Sequence, residues 1–269
     1  MKGSPKRRRR WKRRLLLLSL LCGMLYFAEQ RYDVFRLRDI ELVPGNVLPA
    51  SAVWDAVSAK AQNFWPALLL ERDFVRRVEG FYPVQVKVRM VGWGRCRVEL
   101  KPLEIYLTVF WNTRIWYLST NGRMWLANLP SNVKVRGLVP PPKPTFVWDT
   151  GLAIPIDPDR QAGDVYPSSL PIAKISGWYD AIQEMGWYDS VYSLTAKRID
   201  GRPVVCLLMG TPEQRAGEVI LKEDTSDWAS IAVALREIYP DAKYKIPAGH
   251  SVNATFSDGK FTVKRMEAK

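Results

Sequence analysis

Leu37-Arg38-Asp39-Ile40-Glu41-Leu42-Val43-Pro44-Gly45-Asn46 alternates apolar and polar residues and then turns. Alternation with period two marks a half-buried strand, and Pro44-Gly45-Asn46 ends it. Downstream, residues 51–62 read as a helix, with Ser51 as N-cap and Val53, Trp54, Val57 and Ala61 on one face. Asn63-Phe64-Trp65-Pro66 breaks it. Residues 71–80 read as a second helix, with Phe74, Val75 and Val78 inward and Gly80 at its end. Strands are expected at 84–91 and 96–100, joined by Gly92-Trp93-Gly94. The order strand, helix, helix, strand, strand predicts a compact α+β module over residues 34–102.

Upstream of this module the chain is strongly patterned. Residues 1–14 carry nine Lys/Arg, including Arg7, Arg8, Arg9, Arg10, Arg13 and Arg14, and no acid. Residues 15–28 are an apolar block that Glu29-Gln30-Arg31 ends. Basic residues beside an apolar segment stay on the cytoplasmic side. The expectation is a basic cytoplasmic tail (1–14), a transmembrane anchor (15–28) and a large extracytoplasmic remainder, with the arginines fixing topology and touching membrane lipid. Fourteen residues cover only about 21 Å of a core of roughly 30 Å, so interfacial Trp11 and arginine side chains must extend the anchor. A cleaved signal peptide is the competing reading. Leu25-Tyr26-Phe27-Ala28-Glu29 offers no small-x-small cleavage site, however, and Cys22 follows Leu21 where a lipoprotein needs a small residue.

The net charge of +13 is mostly this tail. Without its nine basic residues, 31 Lys/Arg face 27 Asp/Glu, an ordinary surface, so no nucleic-acid partner is expected. Cys96 and Cys206 each lie in an apolar run and read as buried free thiols, or as a pair in an oxidising compartment.

A second unit is expected from residue 103 to 265. Asn121-Gly122 is a strong hairpin signal. Pro140-Pro141-Pro142-Lys143-Pro144 makes a stiff crossing near 138–145 that cannot be an inner strand. Residues 176–185 read as a helix with Trp178, Ala181, Ile182 and Met185 on one face, closed by Gly186. Strands are expected at 193–199, 204–209 and 218–222, with Asp200-Gly201 as a turn. Residues 225–239 form a second helix with Trp228, Ile231, Leu235 and Ile238 on one stripe, stopped by Pro240. Val252, Ala254 and Phe256 alternate with Asn253, Thr255 and Ser257, and Asp258-Gly259 turns the chain into Lys260-Phe261-Thr262-Val263-Lys264. This predicts a closing hairpin.

Ile40-Glu41-Leu42-Val43-Pro44-Gly45-Asn46, the helix pair, Phe81-Tyr82-Pro83-Val84-Gln85-Val86-Lys87-Val88 and Arg97-Val98-Glu99-Leu100 together resemble a POTRA domain, in particular that of the FtsQ/DivIB family of bacterial cell-division proteins. Pro102-Leu103-Glu104-Ile105-Tyr106-Leu107 and Trp116-Tyr117-Leu118-Ser119-Thr120-Asn121-Gly122-Arg123-Met124-Trp125 are similar to the entry of the family's second domain. Three features depart from the pattern: Val84 follows Pro83 where an aromatic residue is common, the anchor is short, and residues 129–171 align with nothing in the family. The resemblance implies an α+β fold of three parts: an N-terminal transmembrane helix, a POTRA domain of order β-α-α-β-β, and a mostly antiparallel β domain with two helices. It implies a non-enzymatic divisome scaffold of the cell (inner) membrane, single-pass and at the division septum, which binds FtsB/FtsL-like single-pass coiled-coil proteins and other divisome proteins. A segment of the FtsB partner would add as a strand to the terminal edge, through Thr255, Phe256, Ser257, Gly259, Phe261 and Val263. An unpaired edge offers backbone donors and acceptors, although Lys260 and Lys264 are residues that also protect such edges.

No catalytic, cofactor or metal site is expected. His250 has no nucleophile or carboxylate at a familiar spacing, Ser131-Asn132-Val133-Lys134 fits S-x-x-K without its companion motif, and Asp157-Pro158-Asp159 reads as a solvated turn. The alternative function is a membrane-anchored envelope enzyme or cell-wall-binding protein with a site built from distant residues. A chaperone for outer-membrane export is disfavoured, because no tandem POTRA repeat is present.

Overall fold

The computed structural model describes residues 5–70, 72–157, 163–210, 215–239, 246–255 and 262–265. Helix α1 spans Pro5–Tyr32. The expected transmembrane anchor is corrected here: among the described residues, no helix is long and apolar enough to cross a membrane. The reason is the placement of charge. The helix is long, but only the fourteen residues between Arg14 and Glu29 are uncharged, about 21 Å of rise against the roughly 30 Å required. The expected single-pass inner-membrane location, cytoplasmic tail and extracytoplasmic bulk rested on that span and lose their support with it. The fold class is α+β, with no spanning helix among the described residues, and a ten-stranded sheet dominates it.

The chain divides into two compact units, with the main boundary between Lys101 and Pro102. In the first unit, β1 (Asp39–Val43), β2 (Val84–Gly92) and β3 (Arg95–Pro102) form a sheet of order β1-β3-β2. β1 runs parallel to β3, with Asp39 opposite Arg95 and Glu41 opposite Arg97. Both pairs close as exposed ion pairs, and the second is bidentate, with both bonds at 3.1 Å. Being exposed, they set register more than they add stability.

The expected single helix over 51–62 is instead two short ones, α2 (Ala50–Trp54) and α3 (Ala59–Asn63). Ser58, rather than Ser51, is the capping residue: it is extended and its hydroxyl accepts from Ala61 N at 3.2 Å. The Pro66 break starts a further helix, α4 (Pro66–Leu70), because proline suits a first helical turn. α5 (Arg72–Phe81) buries Phe74 and Val78 completely. Trp93 donates from Nε1 to Val34 O at 2.6 Å, and its ring meets Phe35 and Trp65.

In the second unit the strands are β4 (Ile105–Trp111), β5 (Arg114–Ser119), β6 (Arg123–Leu126), β7 (Thr145–Trp148), β8 (Val165–Pro167), β9 (Val191–Ile199), β10 (Arg202–Gly210), β11 (Arg215–Lys222), β12 (His250–Ala254) and β13 (Thr262–Arg265). Their spatial order is β13-β12-β11-β10-β9-β7-β4-β5-β6-β8. The sheet is mixed: β11–β12, β7–β9 and β4–β7 pair in parallel. Asp200 and Gly201, at φ of 51° and 76°, make the tight β9–β10 turn. Residues 129–171, which match no expected element, supply both a five-residue helix, α6 (Pro130–Lys134), and the two strands β7 and β8. β7 follows directly on Pro144 and lies inside the sheet, between β9 and β4.

α7 (Ile172–Glu184) and α8 (Trp228–Ile238) pack on one face of the sheet. They bury Ile175, Trp178, Ile182, Trp228 and Leu235 against Leu107, Phe146, Leu194, Val205, Leu207, Val219 and Val252. Ile238, expected on the buried stripe, is 45% exposed at the helix end. Two indoles pin the helices to the end of β11. Trp178 Nε1 donates to Glu223 O at 2.9 Å, and Trp228 Nε1 donates to Lys222 O at 3.0 Å. Arg236 Nη2 donates to Met185 O at 2.9 Å, satisfying a carbonyl at the C-terminus of α7.

Candidate functional site

Among the described residues β13 is the last strand of the sheet, with β12 on one side and no strand on the other. Its pairing with β12 is antiparallel and sets Val252 opposite Val263 and Asn253 opposite Thr262. β12 itself belongs to the core, since Val252 and Ala254 are buried within it. This follows from the alternation of 250–254, which turns every second residue inward. The hairpin therefore has an inner strand fixed by burial and an outer strand that ends the sheet.

Of the six residues expected at this edge, Thr255 is half-buried and Val263 lies in β13. Thr255 donates twice to Asn253 Oδ1, from N at 3.1 Å and from its hydroxyl at 2.8 Å. This side-chain clamp closes on the residue just after the end of β12. Phe256, Ser257, Gly259 and Phe261 lie outside the described residues, as do Lys260 and the Asp258-Gly259 turn. At the other end of the chain, Arg7, Arg8, Arg9, Arg10, Arg13 and Arg14 all fall within α1, and Arg14 is exposed. Among the described residues there is no spanning helix for them to orient.

The remaining candidates are scattered. Cys22 is an exposed free thiol, and Cys96 and Cys206 are buried free thiols in different units. His250 begins β12, and its Nδ1 is buried without a hydrogen-bond partner. Ser131 and Asn132 sit in α6, where Asn132 Nδ2 donates to Leu126 O and Ala127 O at 3.0 and 2.8 Å. The motif thus serves as a clamp on the chain after β6. Asp157 is described, whereas Pro158 and Asp159 are not. Among the described residues, no group of three His, Cys, Asp or Glu could hold a metal. An open cavity of about 500 Å³ is lined by Thr113, Arg114, Ile115, Leu126, Ala127 and Asn128, with no titratable group beyond the arginine.

Two side-chain clusters were not legible as such in the sequence. Lys143 lies with Nζ 4.0 Å from the ring centre of Tyr106 and 5.9 Å from that of Tyr179. Burial lowers its pKa, and Asp180 and Glu104 act in the opposite direction. Tyr179 also donates to Pro144 O at 2.7 Å, so the Pro-rich crossing is held at both Lys143 and Pro144.

The second cluster joins three strands on the sheet face away from α7 and α8. Lys197 on β9 and Glu218 on β11 form an ion pair at 3.1 Å, reaching across β10. Lys197 is level with Val204 and Glu218 with Leu208, so the pair crosses β10 over Cys206. The thiol lies between the two on the same face. Burial, then the neighbouring carboxylate, pushes the Cys206 thiol up to about 12, while Lys197 pulls it down. For Lys197, burial lowers the pKa, but the charges of Cys206 and Glu218 outweigh it and the net shift is upward.

No family model matches the chain, and no curated protein matches it.

Proposed function

We propose that the chain is a non-enzymatic scaffold that takes up a short partner segment as an added strand on β13. The observation carrying this reading is the position of β13 at the end of the ten-stranded sheet, with one side unpaired among the described residues. Four residues of backbone there present donors and acceptors along a line, which is what strand addition uses for affinity. The resemblance to FtsQ/DivIB proteins supplies the partner class: FtsB/FtsL-like coiled-coil proteins and further divisome components. The role is then to assemble and restrain septal cell-wall synthesis.

The test is capture of such coiled-coil partners by the full chain and by a version ending at Thr255. That end point keeps Val252 and Ala254, which are part of the core. The full chain should recover the partners and the shortened one should not, with far-UV circular dichroism showing both folded. Equal recovery by two folded proteins refutes the edge. Recovery by neither refutes the scaffold, and the full chain is then assayed on isolated cell wall.

A further inference from the structure

We infer that Lys197 and Cys206 form an oxygen-dependent covalent crosslink, a lysine–cysteine N–O–S bridge, on the sheet face away from α7 and α8. Three observations meet at this point. The register places Lys197 two residue pairs from Cys206, in the next row of the same face on the adjacent strand: Lys197 pairs with Val204, and Thr195 with Cys206. The ion pair with Glu218, on the far side of β10, draws the ammonium across the row of Cys206. Cys206 is 2% exposed and is the one cysteine of its unit, because Cys22 and Cys96 belong to the other. An oxidised sulfur normally condenses with a nearby thiol. Here the unit holds no second thiol, and the side-chain nitrogen that the register places beside the sulfur is that of Lys197.

The chemistry balances with dioxygen as the oxidant. The Lys197 ammonium gives one proton to Glu218, which already accepts its hydrogen bond. One further N–H bond and the S–H bond break, and N–O and O–S bonds form. One oxygen atom stays in the bridge and the other leaves as water. Nitrogen and sulfur each lose two electrons, and dioxygen accepts four. Burial favours the bridge over the ordinary oxidation ladder. Bulky oxidants and thiol reagents are excluded. The product ties β9 to β10 through side chains and opens again on reduction.

The experiment uses the full chain, purified without oxygen and then divided between anaerobic and oxygen-saturated buffer. The bridge adds one oxygen and removes two hydrogens, a gain of roughly 14 Da in intact mass. The aerobic sample should show this gain, lose it on unfolding with dithiothreitol, and yield a tryptic product joining the segments that contain residues 197 and 206. Lys197→Arg, which keeps a cation beside Glu218, and Cys206→Ser should both abolish it. An unchanged mass in the folded wild-type chain overturns the inference without reference to any variant. So does a gain of roughly 16 or 32 Da on Cys206 that persists in Lys197→Arg, since that is ordinary thiol oxidation.

Discussion

Replacing Trp178 by Phe tests how the two helices are held to the sheet. Trp178 is 1% exposed, and its indole N–H is bonded to Glu223 O. Phenylalanine fills much of the same space but has no donor. Leaving the carbonyl unpaired costs about 1–3 kcal/mol, and the missing ring atoms add about 1–2 kcal/mol as an unfilled volume. The expected loss is roughly 2–5 kcal/mol, with a fall in Tm of about 2–4 °C for each kcal/mol. Trp228→Phe should behave alike, because that indole is also 1% exposed and bonds the preceding carbonyl, Lys222 O. Two adjacent carbonyls on one short stretch are a shared anchor. The double variant should therefore lose at least about 0.5 kcal/mol less than the sum of the singles. Urea unfolding followed by far-UV circular dichroism measures all three. Single variants within about 0.5 kcal/mol of wild type would refute the anchoring argument, and strict additivity would refute the shared anchor.

A Cβ at Gly217 would overlap Ile246 Cγ2 and come within 2.5 Å of His250 O, at the start of the β11–β12 pairing. Gly217→Ala should lower stability by about 3 kcal/mol or more in a denaturant titration, and a loss below about 1 kcal/mol would mean that 246–250 shifts freely. Thr113, a β-branched residue at φ 60° in the β4–β5 turn, is strained there. Thr113→Gly should raise Tm, with a gain of about 1 kcal/mol, and a lowered Tm contradicts the strain. The fold raises the Cys206 thiol from 9.0 to about 12, so it holds that proton more tightly than the unfolded chain does. This stability is whole below pH 9 and drains away as pH climbs to 12, at about 1.4 kcal/mol per pH unit. Stability against pH should fall less steeply over that window in Cys206→Ala, and parallel curves would refute the assignment.

Elements with a strong period were legible in the sequence. The alternation of 37–43 and the stripes around Trp178 and Trp228 locate β1, α7 and α8, because burial on one face imposes the pattern directly. β7 was not legible. Four residues carry no readable period, and the prolines before it point to surface. Phe146, fully buried, shows why the strand forms: it fills the core between β4 and β9. The apolar block of 15–28 misled for the opposite reason. Composition there is that of a span, and only its length against its flanking charges argues otherwise. As for sites, alternation predicted the terminal hairpin, whereas the Lys197–Cys206–Glu218 cluster depends on the register of three strands, which no local pattern encodes.

The position of β7 has a consequence for how the chain is made. β4, β5 and β6 follow one another and can pair as soon as they leave the ribosome. β7 then closes the free side of β4, though only through the Val109–Phe146 and Phe110–Val147 pairs. β9, which pairs with β7 over four residues, arrives only after α7 has been synthesised. During that interval a nascent chain carries a short strand with one side satisfied and the other bare. The two wings of the sheet are thus joined late, by long-range pairing across a narrow seam, which is the slow kind of step in β-sheet assembly. A codon-dependent pause after Trp148 would prolong the interval in which another chain can occupy β9's place.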